Sequence, residues 1–447
     1  MTVFIKTLQL ILALAILIIV HELGHYLFAK LFRIRVDKFY LFFDAGGVRL
    51  FSTKHNKLLL KMFPKLKDAE TDYGIGWLPL GGYCKISGMV DESMDTDQLR
   101  QDPKPYEFRS HPAWQRLLVM FGGVLFNFIL AIVVFSGLLH REGRTYIANE
   151  GNSIYAGQLA REMGFRTGDR ILLFDDYAPE NFGMLQADLA RRSPRTATVL
   201  RGGDTLRLWI DHSLMGNVLN SPDFFTLAVP FVVDTLLPGS PNAGAGLVHG
   251  DRIIAIDTTS IEYVQDSKAL LRSLAGTQVT ATVLRPDSST VLLPMQVDSA
   301  GLLGIYPVIP GVKTIRYTFA QSIPAGFKAT FDYIGGYLQD MRLVFTPSTG
   351  AYKSVGSFIA IGQAFPAVWD WTAFFSMVGL LSVMLGVVNL IPIPGLDGGH
   401  IVITLFEMIT RRKPSEKVLM VIQMIGMVLL VMLMLLAFGN DITRLIK

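Results

Sequence analysis

Residues 8–29 read LQLILALAILIIVHELGHYLFA, an apolar run that contains His21-Glu22-Leu23-Gly24-His25. A run of this length and composition predicts a helix that crosses a membrane. Residues four positions apart share one face of a helix, so His21 and His25 direct both imidazoles to the same point. Ionisable side chains are costly in hydrocarbon and indicate a functional site. The stretch therefore predicts a membrane span that carries a polar site.

The spacing of these polar residues indicates a metal. His-Glu-x-x-His on a helix lets both imidazoles bind one Zn²⁺, with the intervening Glu as general base. Cys84 is the only cysteine, so a thiolate zinc site and an intrachain disulfide are both excluded. The remaining ligands must be His or carboxylate.

Composition bounds the class of protein. The chain has 447 residues, 51% of them hydrophobic, and a mean hydropathy of +0.40, which indicates a protein partly in the membrane and partly soluble. The net charge of +4 gives no indication of nucleic-acid binding. The first apolar segment is long and lacks a small-residue cleavage site, so we expect it to be retained.

Four segments have the length and hydropathy of membrane spans: 3–28, 117–139, 374–391 and 418–438. Lys and Arg residues cluster after the first span, before the second, and between the third and fourth. The positive-inside rule places these loops in the cytoplasm. The long segment between the second and third spans, and both termini, are then outside.

The long outer segment contains an internal repeat. Gly168-Asp169-Arg170-Ile171 recurs 82 residues later as Gly250-Asp251-Arg252-Ile253. Strand-like and helical stretches follow each copy in the same order, which predicts one small β-rich domain per copy. Another stretch, 323–345, has apolar residues near one helical face. We expect it to lie on the bilayer surface or to pack on the membrane bundle.

A third ligand is predicted in the third span. Asn389-Leu-Ile-Pro-Ile-Pro-Gly-Leu-Asp397-Gly-Gly-His400 must interrupt the helix, and broken backbone at membrane depth is tolerated only in a cavity or buried in protein. His21 and the Asn389 stretch lie about 20 Å and 24 Å into their spans at the helical rise. Both therefore lie in the cytoplasmic half of the bilayer. Asp397 is the favoured third ligand, with His400 as a possible rival.

These motifs resemble a known family. HELGH in the first span and LDGGH in the third, with two segments that look like PDZ domains between the second and third spans, are similar to the site-two protease family of intramembrane zinc metalloproteases. The arrangement looks most like its bacterial regulator-of-sigma-E type. Leu78-Pro-Leu-Gly81-Gly82-Tyr83 and Asn127 also match family positions.

The resemblance and the residues together assign a candidate site. We expect His21, His25 and Asp397 to hold Zn²⁺ and Glu22 to be the catalytic base. The resemblance implies that Asn389 hydrogen-bonds the substrate backbone, although it could equally cap the broken helix. Gly81 and Gly82 are further candidates for substrate binding, because the glycine-rich stretch 73–86 suits the addition of an unwound substrate to an edge strand. The resemblance adds Asn127 as another candidate for substrate binding.

The predicted activity is endopeptidase cleavage within or near the transmembrane segments of single-span proteins. The resemblance implies substrates such as anti-sigma factors and remnant signal peptides, in regulated intramembrane proteolysis. The PDZ-like pair would exclude substrates with bulky outer domains or bind a new C-terminus. We expect a multi-pass monomer in the bacterial inner membrane, with the PDZ-like domains in the periplasm.

Two other functions remain to be tested. One is a non-catalytic PDZ membrane scaffold or holdase on the same fold, which the intact set of His21, Glu22, His25 and Asp397 disfavours. The other is a metal transporter, which the absence of inverted repeats in the sequence and the presence of Glu22 disfavour.

The predicted fold is a membrane α-helical bundle of about four transmembrane helices with a re-entrant β-rich segment, plus two periplasmic PDZ-like domains of the β-rich α+β class. The expected boundaries are 1–30 (first span), 31–113 (cytoplasmic loop with the β-rich segment), 114–140 (second span), 145–228 and 229–310 (PDZ-like domains), 311–371 (amphipathic helix and linker), 372–410 (third span), 411–417 (cytoplasmic loop) and 418–447 (fourth span and C-terminus).

Overall fold

The computed structural model describes residues 2–79, 81–89, 102–219, 221–346, 352, 355–412 and 416–446. The chain divides into two compact units. The first unit comprises 1–143, 316–342 and 353–447, and the second comprises 144–315 and 343–352. The predicted loop 411–417 falls partly outside the described residues.

Helices and strands alternate in blocks along the chain. The helices are α1 (Thr2–Leu31), α2 (Lys57–Met62), α3 (Ala113–Glu142), α4 (Gln158–Glu162), α5 (Leu185–Arg192), α6 (Met215–Val218), α7 (Val264–Ser273), α8 (Phe319–Val344), α9 (Phe358–Ala364), α10 (Trp371–Leu390), α11 (Asp397–Thr410) and α12 (Glu416–Ile446). The strands are β1 (Val36–Leu41), β2 (Arg49–Ser52), β3 (Asp72–Gly76), β4 (Tyr83–Ile86), β5 (Arg144–Ile147), β6 (Ile154–Ala156), β7 (Arg170–Phe174), β8 (Thr196–Arg201), β9 (Asp204–Trp209), β10 (Phe225–Leu227), β11 (Val233–Leu236), β12 (Arg252–Ile256), β13 (Thr259–Ser260), β14 (Gln278–Leu284), β15 (Thr290–Gln296), β16 (Ile305–Pro307) and β17 (Val312–Ile315).

Four helices of the described chain are long and apolar enough to cross a membrane. They are α1, α3, α10 and the part of α12 from Val421–Thr443. Each corresponds to one of the four segments that hydropathy predicts. The first unit is therefore a multi-pass membrane bundle, as the sequence predicts.

Close packing between α1 and α3 depends on glycine. Gly24 of α1 lies against the backbone of Gly122 in α3, and an added Cβ on either residue would overlap the other helix. Small residues allow membrane helices to approach backbone to backbone in this way. Gly123, the next residue, faces the imidazoles of His21 and His25. As a result, α3 forms the wall behind both histidines.

The predicted third span, 372–410, is two helices with a break between them. Helix α10 ends at Leu390 and α11 begins at Asp397. Pro392 and Pro394 lack the backbone N–H that a continuous helix needs, and Gly395 has a φ of +92°, which favours glycine. Helix α11 therefore restarts with Asp397 as its first residue.

A four-stranded sheet follows α1, in the order β2-β3-β1-β4. Buried Asp72 at the start of β3 ties three strands together, because it accepts hydrogen bonds from Tyr40 Oη at 2.7 Å and from Ser52 Oγ at 2.8 Å. The expectation that the stretch 73–86 supplies an edge strand is correct only for its second part. Strand β3 is paired on both sides, with β1 and β2, whereas β4 lies at the edge of the sheet.

The amphipathic helix predicted at 323–345 is α8, which packs on α3 and α10. Its Ile334 and Met341 pack on the bundle core, whereas Phe327, Phe331 and Leu338 are each 53% exposed. The apolar residues expected on one face are thus divided between two faces of the helix.

Helices α9 and α12 are joined by one carboxylate. Asp441, near the C-terminal end of α12, accepts hydrogen bonds from the Ser357 hydroxyl at 2.5 Å and from the Ser357 and Ala360 backbone amides at 2.8 Å and 3.2 Å. These amides lie at the N-terminus of α9, where backbone donors lack helical partners. The contact fixes the end of the fourth span.

The second unit contains two β-rich bodies. In the first, β6 pairs with β10 and β7-β8-β9 form a sheet; in the second, β11 pairs with β16 and β13-β12-β14-β15 form a sheet. Buried Asp169 accepts a hydrogen bond from the Arg166 amide at 2.8 Å, and buried Asp251 accepts one from the Val248 amide at 2.9 Å. Both Gly-Asp-Arg turns therefore have the same local hydrogen bond.

The two ends of the segment 144–315 in the second unit pair with each other. Strand β5 pairs antiparallel with β17, and Arg144 lies opposite Ile315. The second part of this unit, 343–352, is separated from the first along the chain by 316–342.

Candidate metal centre

Three ligand-type side chains meet where α1 lies beside the start of α11. The Nε2 atoms of His21 and His25 lie 3.2 Å and 3.3 Å from Oδ2 of Asp397, and 3.3 Å from each other. Among the described residues, this is the group of His, Cys, Asp or Glu side chains whose ligand atoms lie within 4.8 Å of one another. The structure thus brings together the three residues predicted as metal ligands.

The donor set fits zinc. Ligand atoms at about 2.0–2.1 Å on a tetrahedral Zn²⁺ lie about 3.3–3.4 Å apart, which matches the separations of 3.2–3.3 Å between these three atoms. Oδ2 of Asp397 is buried and has no hydrogen-bond partner among the described residues. A buried carboxylate oxygen without a donor requires a cation.

Helix α3 holds both imidazole rings from behind. Nδ1 of His25 lies 2.9 Å from the carbonyl oxygen of Val119, and Nδ1 of His21 lies 3.0 Å from the side-chain amide of Asn127. Both rings therefore turn their Nε2 atoms toward Asp397. Metal-bound histidines are commonly oriented by a partner of this kind on the other ring nitrogen.

Asn127 does not lie in the cleft, where the predicted role in substrate binding would place it. Its side chain is fully buried, and it does not line the cleft that contains the metal centre. Its contacts are with His21 and, through its backbone carbonyl, with the Ser382 hydroxyl at 2.7 Å. This burial favours an orienting role over contact with a substrate.

Glu22 lies at the same cleft, beside the edge of the sheet. Glu22 and Cys84 both line the cleft, and the Glu22 carboxylate lies near the backbone amide of Cys84. Cys84 is in β4, whose opposite edge pairs with β1. The outer edge of β4 therefore points toward the proposed general base and the metal centre.

The cleft has a volume of about 490 Å³, within the usual range for ligand sites. Asn389 lines it with its Nδ2 atom 3.3 Å from Nε2 of His21. Gly82 also lines it, whereas Gly81 lies against the ring of Phe43. His400 is in the cleft wall but outside the ligand cluster, so the geometry favours Asp397 over His400 as the third ligand.

Sequence reasoning missed one contact near this site. Glu407 of α11 forms an ion pair with Arg116 at 2.6 Å, and its side chain is only 11% exposed. Arg116 is in α3, so the pair joins α3 to α11. Only the charge of Glu407 near the end of an apolar helix could have indicated a partner, and the sequence does not say which one.

Comparison with known proteins gives a consistent result. The model of peptidase family M50 matches residues 9–433. Relatives provisionally named as zinc metalloproteases include one from Ralstonia nicotianae, 27% identical with 98% of each chain covered, and one from Neisseria meningitidis, 27% identical with 98% of this chain and 99% of the relative covered. A relative from Vibrio cholerae is 25% identical over 97% of this chain and 98% of its own length.

The match covers nearly the whole chain and includes both parts of the metal centre. It confirms the predicted resemblance, the predicted protease activity and zinc as the cofactor. The chain belongs to peptidase family M50, the site-two protease family of zinc metalloproteases.

Proposed function

We propose that this chain is an intramembrane endopeptidase that cuts single-span membrane proteins within or near their transmembrane segments. The observation that carries the proposal is the position of the His21–His25–Asp397 cluster. Two of its ligands are on α1, one of the apolar helices able to span a membrane. Anti-sigma factors and remnant signal peptides are the substrate classes that the site-two type suggests.

The ligand roles belong to His21, His25 and Asp397. Zinc held by them supplies Lewis-acid polarisation of the scissile carbonyl and acidifies water. The carbonyl of Val119 and the amide of Asn127 keep the histidine rings in place. Asp397 is fixed by its position as the first residue of α11.

Glu22 is the proposed general base. It accepts a proton from the attacking water as the water oxygen bonds to the carbonyl carbon. The same carboxyl then delivers that proton to the leaving nitrogen as the C–N bond breaks. Glu22 lines the cleft together with Cys84 of β4.

A substrate helix must unwind before its peptide bonds can be reached, and the lost backbone hydrogen bonds need replacement. The outer edge of β4 can supply them by strand addition. Gly82 lines the cleft beside this edge, where an added Cβ would overlap Ile18 and the backbone of Tyr40. Asn389, which also lines the cleft, can hydrogen-bond the substrate backbone. Gly81 supports the turn behind this edge, where it packs on Phe43.

The two β-rich bodies of the second unit are proposed to be PDZ-like domains in the periplasm. Their shared Gly-Asp-Arg turn and the pairing of the first strand with a late strand in each body support this. The pair would act as a filter that excludes substrates with bulky outer domains. Capture of a new substrate C-terminus is the competing role for the same domains.

The proposed location is the bacterial inner membrane, with the β sheet on the cytoplasmic side. The Lys and Arg bias of the loop 31–113 supports this orientation. In a Cys84→Ser background, an impermeant thiol reagent on intact spheroplasts should label a cysteine introduced at Ser289 in the second unit, and not one at Lys67. Labelling of the Lys67 position alone would reverse the orientation.

The activity test uses Glu22→Gln. The amide is nearly isosteric but cannot accept the proton, so cleavage of a model transmembrane substrate should fall by at least about 10²-fold. Zinc measured by elemental analysis should stay near one per chain. The exposed Ile129 of α3 offers a control as Ile129→Ala, which should cut normally. A wild-type protein that binds zinc and cuts no transmembrane substrate would favour the scaffold or holdase function.

A further inference from the structure

A second cavity adjoins the cleft of the metal centre. It has a volume of about 120 Å³ and is named here the side chamber. Met89, Gly395, His400 and Gln423 line both the cleft and the side chamber. The side chamber and the cleft therefore adjoin at these four residues.

The side chamber has a mainly apolar wall, which includes Met89, Phe108, Ile403 and Ile422. Arg109 and Arg116 also line it, but each is held by a carboxylate. Arg109 lies 2.6 Å from Glu107, and Arg116 lies 2.6 Å from Glu407. With both guanidinium charges balanced, the side chamber suits an uncharged apolar group.

Strand β4 leads from the cleft to the side chamber. Residues 82–86 line the cleft, and the chain then reaches Gly88 and Met89, which line the side chamber. A peptide added along the outer edge of β4 follows the same path. Successive side chains of an extended peptide point to opposite sides, so one substrate side chain near the end of β4 faces the opening.

We propose that the side chamber is a specificity subsite that receives one apolar side chain of the substrate close to the cleaved bond. In other proteins a cavity of about 150 Å³ with an aliphatic and aromatic wall holds one benzene molecule. A volume of about 120 Å³ therefore suits an aliphatic side chain such as Leu and is too small for Trp. This subsite rests on the proposed cleavage of transmembrane segments along β4.

The experiment changes the volume of the side chamber through Ile403. A panel of model transmembrane substrates carries Ala, Leu or Trp at each position within four residues of the cleaved bond. Wild-type protein should prefer Leu to Ala at one of these positions by about 10-fold, the lower end for extra methylene groups in an apolar pocket. Ile403→Ala should raise the rate for Trp relative to Leu at that position, and Ile403→Phe should abolish the preference for Leu.

The control is Val402→Ala on the same helix. Val402 is 47% exposed and does not line the side chamber, so its variant should keep the wild-type ratios. Ratios within one enzyme separate specificity from a general loss of activity or folding. Cleavage with ratios that no Ile403 variant alters would overturn the subsite, whereas no cleavage of any substrate by wild-type protein would contradict the proposed function itself.

Discussion

The role of Asn127 follows from the chemistry of His21, which it contacts. A histidine that binds a metal through Nε2 carries its proton on Nδ1, and that proton needs an acceptor. The side-chain amide of Asn127 lies 3.0 Å from Nδ1 of His21. As placed, the nearer atom is Nδ2, while Oδ1 is buried and has no partner among the described residues. A half-turn of the amide exchanges these two atoms, so that Oδ1 accepts the Nδ1 proton and Asn127 fixes the tautomer that leaves Nε2 free.

Removal of this acceptor should weaken metal binding. Asn127→Leu keeps the volume and loses the hydrogen bond, and we expect about 10–100-fold lower zinc affinity, the usual cost of losing such a partner. Asn127→Asp keeps an acceptor and should retain most of the zinc. The measurement is zinc occupancy against a competing chelator. Equal occupancy in wild type and Asn127→Leu would mean that Asn127 does not orient His21.

The metal ligands could be predicted from the sequence, whereas the residues that orient them could not. The i, i+4 spacing of His21 and His25 is fixed by the helix itself, so local geometry was sufficient. The prediction of Asp397 required only that the His21 motif and the interrupted stretch from Asn389 lie at a similar depth in the membrane. The partnership of Asn127 with His21 spans 106 residues and depends on the close approach of α1 and α3, which no local pattern determines.

Helix α11 is held at both ends. Asp397 at its start faces the two histidines, and Glu407 near its end pairs with Arg116 of α3. Both side chains of that ion pair are nearly buried, at 13% and 11% exposed. Loss of one partner from a buried pair leaves an uncompensated charge and costs about 3–5 kcal/mol. The pair should therefore hold α11, and with it Asp397, in place.

Charge exchange tests this link. Arg116→Glu and Glu407→Arg should each lower the thermal unfolding temperature in detergent and the zinc occupancy. The double variant should recover part of both, and only part, since Arg116 also donates to the backbone carbonyl of His111 at 3.0 Å. Arg141→Ala removes a solvent-exposed ion pair at the other end of α3 and should change little. Failure of the double variant to improve on either single variant would refute the link.

Elements were predicted from the sequence to different degrees. Long apolar runs located all four spans, and Pro392 with Pro394 indicated the break before α11. The order of strands in the four-stranded sheet cannot be predicted from the sequence. Strand β3 lies between β1 and β2 because of tertiary contacts, such as those of Asp72, which no local pattern indicates. For that reason the prediction of an edge strand over 73–86 holds for β4 and not for β3.

At the scale of the whole molecule, most of the second unit, 144–315, is an insertion between two segments of the first unit. Hydropathy predicted the second and third spans between which the segment 144–315 is inserted, since span length and apolar content depend on local composition alone. The pairing of β5 with β17 was not predicted, because its two strands are short and more than 160 residues apart. This pairing brings together the two ends of the segment 144–315, so that this segment can be removed at one place, whereas residues 343–352 of the second unit would stay.

Excision of 144–315 with a short Gly-Ser linker between Gly143 and Arg316 should leave the metal centre intact. All of its ligands and their orienting partners are in the first unit, so zinc occupancy should match that of the full chain.

If the second unit filters substrates by size, the shortened protein should cut substrates with full outer domains, which the full chain cuts only after trimming. The same excision with Glu22→Gln is the control for contaminating proteases. A shortened protein that holds zinc and still cuts only trimmed substrates would exclude the filter. Loss of cleavage of trimmed substrates, with zinc retained, would instead indicate that the second unit recruits them.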